Sequence, residues 1–282
     1  MVHVHFLWHA QDALHLAEML DLPLVITVHG SDVHDTMANS EAMRNAYNQV
    51  MSKAHGIIFV SKKLRDLAKE MGAPMDNAIV IENGYDPGRF FPTERKKFSQ
   101  QKTVGFVGNL YPVKRADRLP YIFQEIQKRE KNVRFILIGG GDEKRSLRNK
   151  ILMELEFIGL TEKVEIPGAV PPGMVAEYLR RMDVLLLPSR NEGFPCIAIE
   201  AQACGVPVVG SANGGVPEAV FSGAVVEEGD DFEIRFADAV THVLSKEWDP
   251  FEVAAKVSHL TWQKTVEREV AFYDSIVNRK VR

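Results

Sequence analysis

Cysteine is scarce. The chain has two in 282 residues, Cys196 and Cys204, too few for a disulfide framework and without the paired spacing of a zinc site, so a reducing, cytoplasmic setting is expected. No apolar run approaches the ~20 residues that span a bilayer. His3, His5, His9 and Asp12 interrupt the start where a signal peptide needs a clean apolar stretch, so we expect the mature chain to begin at or near Met1. A basic excess is also missing: Lys+Arg 34 against Asp+Glu 38 gives a formal charge of −4 and argues against a nucleic-acid partner. There is no internal repeat and no low-complexity segment. What is present is an ordinary globular composition, 45% hydrophobic and 26% charged. At roughly 150 residues per domain the length predicts two domains.

Charge and histidine are shared unevenly. Residues 1–90 hold 7 Lys+Arg against 11 Asp+Glu, whereas the remainder balances at 27 each, and seven of the nine histidines precede residue 60. Short β-branched runs alternate with helical patterns throughout, the signature of βαβ units and parallel sheets. In the first part the expected strands are 2–7, 24–29, 56–60 and 78–82, and the expected helices 9–20, 41–53 and 61–71, the last with Ser61 as N-cap and Gly72 at its end. A turn-rich stretch, Asn83 to Gln101, reads as a linker. The second series predicts strands at 103–107, 133–138, 163–166, 183–187, 207–209 and 224–226. Its helices are expected at 115–129, 143–157, 172–181, 195–203, 231–244 and 251–257, with a final helix from Trp262 to about Val277. The second series makes a complete open α/β sheet; four strands in 90 residues is short for one covered on both faces.

The most informative segment is Pro188-Ser-Arg-Asn-Glu192-Gly-Phe-Pro195-Cys-Ile-Ala-Ile-Glu200. It follows an apolar strand and so lies at a carboxyl end, where open α/β sheets bind ligands. Pro195 suits the first turn of a helix, leaving the amides around Gly193, Phe194, Cys196 and Ile197 to face an anion such as a phosphate. Glu192 beside that anion must turn to hydroxyl groups, for which sugars are natural partners. Glu200, eight residues on and about two turns along, falls near the same side of a helix flanked by Ile197, Ala198, Ile199, Ala201 and Ala203. Isolated glutamates are usually solvated, but a carboxylate in so apolar a helix needs a reason to be there.

At these residues the sequence resembles the family 4 retaining glycosyltransferases, of the two-Rossmann-domain type called GT-B. Glu192 and Glu200, with seven residues between them, match the family's E-x7-E motif. Val4-His5-Phe6, Thr27-Val28-His29-Gly30-Ser31-Asp32, Val60-Ser61, Asn83-Gly84-Tyr85-Asp86 with Phe90, and Val107-Gly108-Asn109 with Lys114 match in order. So do Gly139-Gly140-Gly141-Asp142, Gly168-Ala169-Val170 and Gly214-Gly215-Val216-Pro217-Glu218, so the resemblance covers nearly the whole chain.

The resemblance implies an α/β protein of three parts: an acceptor-side domain over 1–90 that is incomplete, a nucleotide-sugar domain over 91–261, and a helix over 262–282 packing back on the first. It implies transfer of a hexosyl group from a UDP- or GDP-linked sugar, without cofactor or metal, to a polysaccharide or lipid-linked acceptor, which allows a peripheral encounter with the inner face of a membrane. Lys114 would contact the diphosphate, Glu192 and His29 the transferred sugar, and the backbone of Gly193, Phe194, Pro195 and Cys196 would line the phosphate region. Glu200 would hold the ribose, and backbone near Ala169 and Val170 the base.

Two departures matter. Where many relatives place an arginine this chain has Asn109, which bonds a phosphate without charge; Arg115, next to Lys114, is the candidate to compensate. Relatives also begin with further βα units, including a glycine-rich loop. The short first part is therefore expected to be completed by a second copy or partner, to leave a weakly active nucleotide-sugar-binding subunit, or to lack native residues upstream of Met1. His3 and His5 share a strand face, but with no carboxylate or cysteine in register they read as lining residues rather than metal ligands. The Gly139–Gly141 run alone makes a turn.

Overall fold

The computed structural model describes residues 1–94, 101–142 and 146–280, the side chains of 279 and 280 excepted. The chain divides into two compact units: unit 1 comprises Met1–Gly84, Asn191–Phe194 and Leu260–Arg282, and unit 2 comprises Tyr85–Arg190 and Pro195–His259. Part of the expected linker (95–100) and the expected start of the helix at Glu143 (143–145) lie outside the described residues.

Unit 1 is built on a four-stranded parallel sheet in the sequential order β1 (Val2–His5), β2 (Leu24–Val28), β3 (Gly56–Phe59) and β4 (Ala78–Val80). The connecting helices are α1 (Ala10–Met19), α2 (Glu41–Lys53) and α3 (Lys62–Glu70). Ser40 and Ser61 each cap the following helix, accepting from the amides of Met43 and Leu64. All five residues of β2 are buried, which is why this strand reads as an unbroken apolar run rather than an alternation. The terminal helix α11 (Trp262–Lys280) closes one face of the sheet. Its Ile276 joins Val25, Ile58 and Ile81, with Phe272 and Tyr273 packed alongside.

Unit 2 carries a six-stranded parallel sheet: β5 (Lys102–Val107), β6 (Val133–Ile138), β7 (Val164–Gly168), β8 (Val184–Leu187), β9 (Val208–Ser211) and β10 (Gly223–Val226). Across the sheet they run β10-β9-β8-β5-β6-β7. The chain therefore travels one way from β5 and the other way from β8, and the loops after these two neighbours flank a topological switch point. Helices α4 (Leu119–Arg129), α5 (Arg148–Phe157) and α9 (Phe232–Leu244) bury a core around Phe106, Phe123, Phe135 and Phe236. The others are α6 (Pro172–Arg180), α7 (Cys196–Ala203), α8 (Val216–Ala219) and α10 (Pro250–Ala255).

Several boundaries differ from expectation for local reasons. The strand expected to reach Leu7 stops at His5, because Phe6 takes φ 69° and turns the chain into a 3₁₀ turn, Leu7–His9. The continuous helix expected from Arg115 is broken. Arg115 sits at φ 51° between two 3₁₀ turns, Pro112–Lys114 and Ala116–Arg118, and α4 begins only at Leu119 with Pro120 in its first turn. A π-helix, Asp32–Met37, and the four-residue α8 are too short for periodicity to reveal.

Candidate functional site

In unit 1 the chemistry-bearing residues gather where β1 and β2 end. His3, His5 and Thr27 come together through the β1–β2 register, which pairs His5 with Thr27. His3 Nε2 lies 2.8 Å from Thr27 Oγ1 and its Nδ1 2.9 Å from the Tyr273 hydroxyl. His5 Nδ1 and His29 Nε2 are 2.9 Å apart, so the two imidazoles share one proton between them. Burial, and then the neighbouring His5, hold both His3 and His29 down to about 4, which keeps them neutral at pH 7. With Nε2 bonded to His5, a neutral His29 meets a hydroxyl group through Nδ1, as donor or acceptor according to its tautomer.

Asp32 ties the two strand ends together. Its side chain is fully buried, and its oxygens accept from the amides of Gly30 at 2.8 Å and Leu7 at 3.3 Å. Burial pushes this carboxyl up, opposed by those backbone bonds. The sequence singled Asp32 out only as part of a motif string; an aspartate two residues after Gly30 is placed to cap that turn, and this is the signal that could have found it.

The segment Asn191–Phe194 is held inside unit 1 by three contacts. Gly193 packs against the end of β2 so closely that a Cβ on it would overlap the His29 carbonyl, and a Cβ on Gly30, at φ 135°, would lie 2.9 Å from the Gly193 nitrogen. Asn83 Nδ2 donates to the Phe194 carbonyl at 3.0 Å. His34, on the π-helix, is hydrogen-bonded to the backbone of Glu192. Burial lowers the His34 pKa, with Asp35 and Glu192 opposing. No sequence pattern pointed to His34. Glu192 itself is 8% exposed and precedes α7, so helical spacing does not relate it to Glu200.

In unit 2 the expected residues lie on loops after the strands. Asn109 is exposed and follows β5, Lys114 is half-buried and ends a 3₁₀ turn, and the Arg190 amide donates to the Val113 carbonyl at 2.9 Å, joining the loops after β5 and β8. Ala169 and Val170 follow β7, the first exposed and the second half-buried. Pro195 is the N-cap of α7 rather than its first residue, and no side chain caps that helix. Half-buried Glu200 faces surroundings so apolar that burial alone pushes its carboxyl up to about 7.

Arg115 corrects an expectation. It does not supply the charge that Asn109 lacks, because its guanidinium makes two bonds to the Glu228 carboxylate, at 2.7 and 2.5 Å, and lies 4.6 Å over the Phe232 ring. Asn213 also donates to Glu228, and the Arg115 side chain is 7% exposed. The left-handed backbone at Arg115 aims it inward; it is a structural cation.

With this geometry in hand, comparison with known proteins gives concordant results. The sequence profile described as "Glycosyl transferases group 1" matches residues 101–246, and that of "Glycosyltransferase Family 4" matches residues 1–89. A D-inositol 3-phosphate glycosyltransferase of Corynebacterium aurimucosum is 30% identical over 243 residues, covering 79% of this chain and 58% of the relative, so the chain spans little more than half of that protein's length. Among solved structures, sucrose-phosphate synthase from Thermosynechococcus elongatus superposes with a TM-score of 0.83 at 21% identity, over 98% of this chain and 73% of the other. The Anabaena HepE protein in complex with UDP and glucose gives 0.78 at 17%, over 97% and 78%. At these identities the likeness is one of fold, and it makes the fold GT-B.

Proposed function

The chain belongs to the group 1 glycosyl transferases, and from that membership we propose that it is a retaining hexosyltransferase drawing on a nucleotide-diphosphate sugar. The observation that carries this reading is the pair of family matches, which between them account for residues 1–89 and 101–246 and include every residue assigned a role. The fold neighbour that binds UDP and glucose favours a UDP-linked donor. The acceptor is proposed to be a polysaccharide or lipid-linked glycan, met peripherally; no helix among the described residues is long and apolar enough to cross a membrane.

In the proposed reaction the bond from the sugar C1 to the β-phosphate oxygen breaks and a bond from C1 to the acceptor oxygen forms on the same face. The acceptor's proton passes to the departing phosphate. No protein nucleophile and no metal are needed, because charge developing on the phosphate is met by Lys114 and the uncapped start of α7. Glu192 and neutral His29 hold sugar hydroxyls, Glu200 holds the ribose, and backbone at Ala169 and Val170 reads the base.

The test is turnover of UDP-glucose and GDP-mannose by wild type and Glu192→Ala, with and without chelator. UDP release by wild type, unaffected by chelator and lowered at least about a hundredfold by the substitution, is expected, as for loss of a group acting in the transition state. Nucleotide binding without turnover would favour a nucleotide-sugar-binding subunit, and a chelator-sensitive rate would remove the metal-independent mechanism.

A further inference from the structure

The turn that ends β1 places an aromatic pair on unit 1 that the proposed roles leave unused. Phe6 and Trp8 stack with ring centroids 4.8 Å apart and an interplanar angle of 6°. Leu7 between them is 1% exposed and belongs to the core, whereas Trp8 is 50% exposed. A bulky residue at φ 69° and ψ 141° is strained, and such strain persists where the surroundings impose it, often at ligand sites. Here the Phe6 amide is fixed to the Thr27 carbonyl at 2.9 Å, and the indole N–H of Trp8 reaches Thr36 Oγ1 at 3.4 Å, on the π-helix. The stack continues into polar groups: the Phe6 ring lies 4.5 Å from His29, which is hydrogen-bonded to His5.

We propose that the Phe6–Trp8 stack is a saccharide platform, the docking face for the terminal ring of a carbohydrate acceptor, leaving His29 to the transferred sugar. This rests on the glycosyltransferase reading and names the acceptor's chemistry as a cyclic polyol with an apolar face. The chemistry is specific. One face of a pyranose presents C–H bonds, which are attracted to the negative face of an aromatic ring, while its hydroxyls project sideways to neutral donors and acceptors. A flat, half-exposed indole, stacked on Phe6 and tied to Thr36, offers such a face. A structural pair would have been buried with Leu7 and would not need a strained Phe6.

The test uses the indole N–H signals of the intact chain, whose three tryptophans are Trp8, Trp248 and Trp262. Trp8→Phe identifies the Trp8 signal. Titration with methyl α-D-glucopyranoside is expected to move that signal saturably, leaving those of Trp248 and Trp262 in place, while glycerol, an acyclic polyol, moves none. A Trp8 signal that moves only with uridine, or with nothing, overturns the proposal. Phe6→Gly tests the strain argument: glycine accepts φ 69°, so its melting temperature is expected to equal or exceed wild type while affinity for the glucoside falls about tenfold, ~1.4 kcal/mol. A lower melting temperature with unchanged affinity would make Phe6 structural and overturn the platform. UDP-glucose turnover by wild type is read separately, so failure of the proposed activity and failure of the platform are distinguishable.

Discussion

Unit 1 and unit 2 carry their chemistry in different materials. In unit 1 it lies in side chains that hold one another: His3 to Thr27 and Tyr273, His5 to His29, Asp32 to two amides, and an aromatic stack alongside. In unit 2 the proposed positions lie in loops and at a helix start without a side-chain cap, while Arg115, the most buried cation among the described residues, is committed to Glu228. Unit 1 thus holds two neutral imidazoles, His3 and His29, in place, whereas the unit 2 positions proposed for the donor lie mainly on loops. The difference can be broken at several points.

The largest effect is expected where unit 1 depends on two backbones approaching each other. Gly193→Ala forces a Cβ into the His29 carbonyl, which cannot yield without moving β2, and should cost about 3 kcal/mol or more in urea denaturation. The unit 2 counterpart is Gly105→Ala, whose Cβ meets the flexible side chain of Met182 and should cost about 1 kcal/mol. Equal losses would show that the loop 191–194 is not held as tightly as its contacts imply.

The second test uses proton linkage, which has opposite sign in the two units. Glu200, raised from 4.5 to about 7, contributes fully to stability below 4.5 and loses that contribution as pH rises to 7, because the unfolded carboxyl ionises first. Such a shift is worth at most about 3 kcal/mol, so Glu200→Gln should stabilise unit 2 by about 2 kcal/mol at pH 8 and by little at pH 4. His3 and His29, lowered from 6.5 to about 4, contribute fully above 6.5 and lose it as pH falls toward 4, because the unfolded imidazoles bind protons first. Hydrogen exchange, corrected for intrinsic rate, should show unit 1 opening as pH falls through this window while unit 2 tightens. The same direction in both units would sink the contrast. If Glu200 holds the ribose, UDP affinity should also rise with pH through 7.

The sequence carried the architecture further than it carried the local structure of unit 1. Both sheets were legible because parallel strands buried on two faces write themselves as continuous runs such as Val184–Leu187, and Glu200 stood out because a carboxylate in an apolar helix is unusual. The boundaries missed at Phe6 and Arg115 share a cause: each residue takes a positive φ that its type disfavours and that only a tertiary partner, Thr27 or Glu228, explains. His34 was invisible for the same reason. Its bond to Glu192 joins residues far apart in the chain, and no local pattern records such a pairing.

Breaking the Arg115 pair tests whether unit 2's charged side chains are structural. Arg115→Met removes the guanidinium from over Phe232 and leaves Glu228, 43% exposed, to solvent. The loss should therefore be about 1 to 2 kcal/mol, well short of a buried charge left alone. Affinity for UDP should change by less than about threefold, since the guanidinium is turned to Glu228; a change nearer a hundredfold, ~2.7 kcal/mol, would return Arg115 to the diphosphate.

The smallest change probes how unit 1's histidine row is anchored. Tyr273, on α11, donates to Glu269 at 3.3 Å or to His3 at 2.9 Å, and burial, followed by Glu269, pushes its hydroxyl up to about 12. Tyr273→Phe keeps the ring edge against His3, 5.5 Å between centroids, and removes only the hydroxyl. One lost hydrogen bond should cost about 1 kcal/mol. Because burial, and then His5, hold the His3 imidazole down, its NMR titration should stay low, at about 4, without the tyrosine hydroxyl. His29 is bonded to His5 and not to the tyrosine, so its titration should stay in place. If both histidines move together, the row titrates as one coupled unit and α11 governs the protonation of His29 from the far end of the sheet.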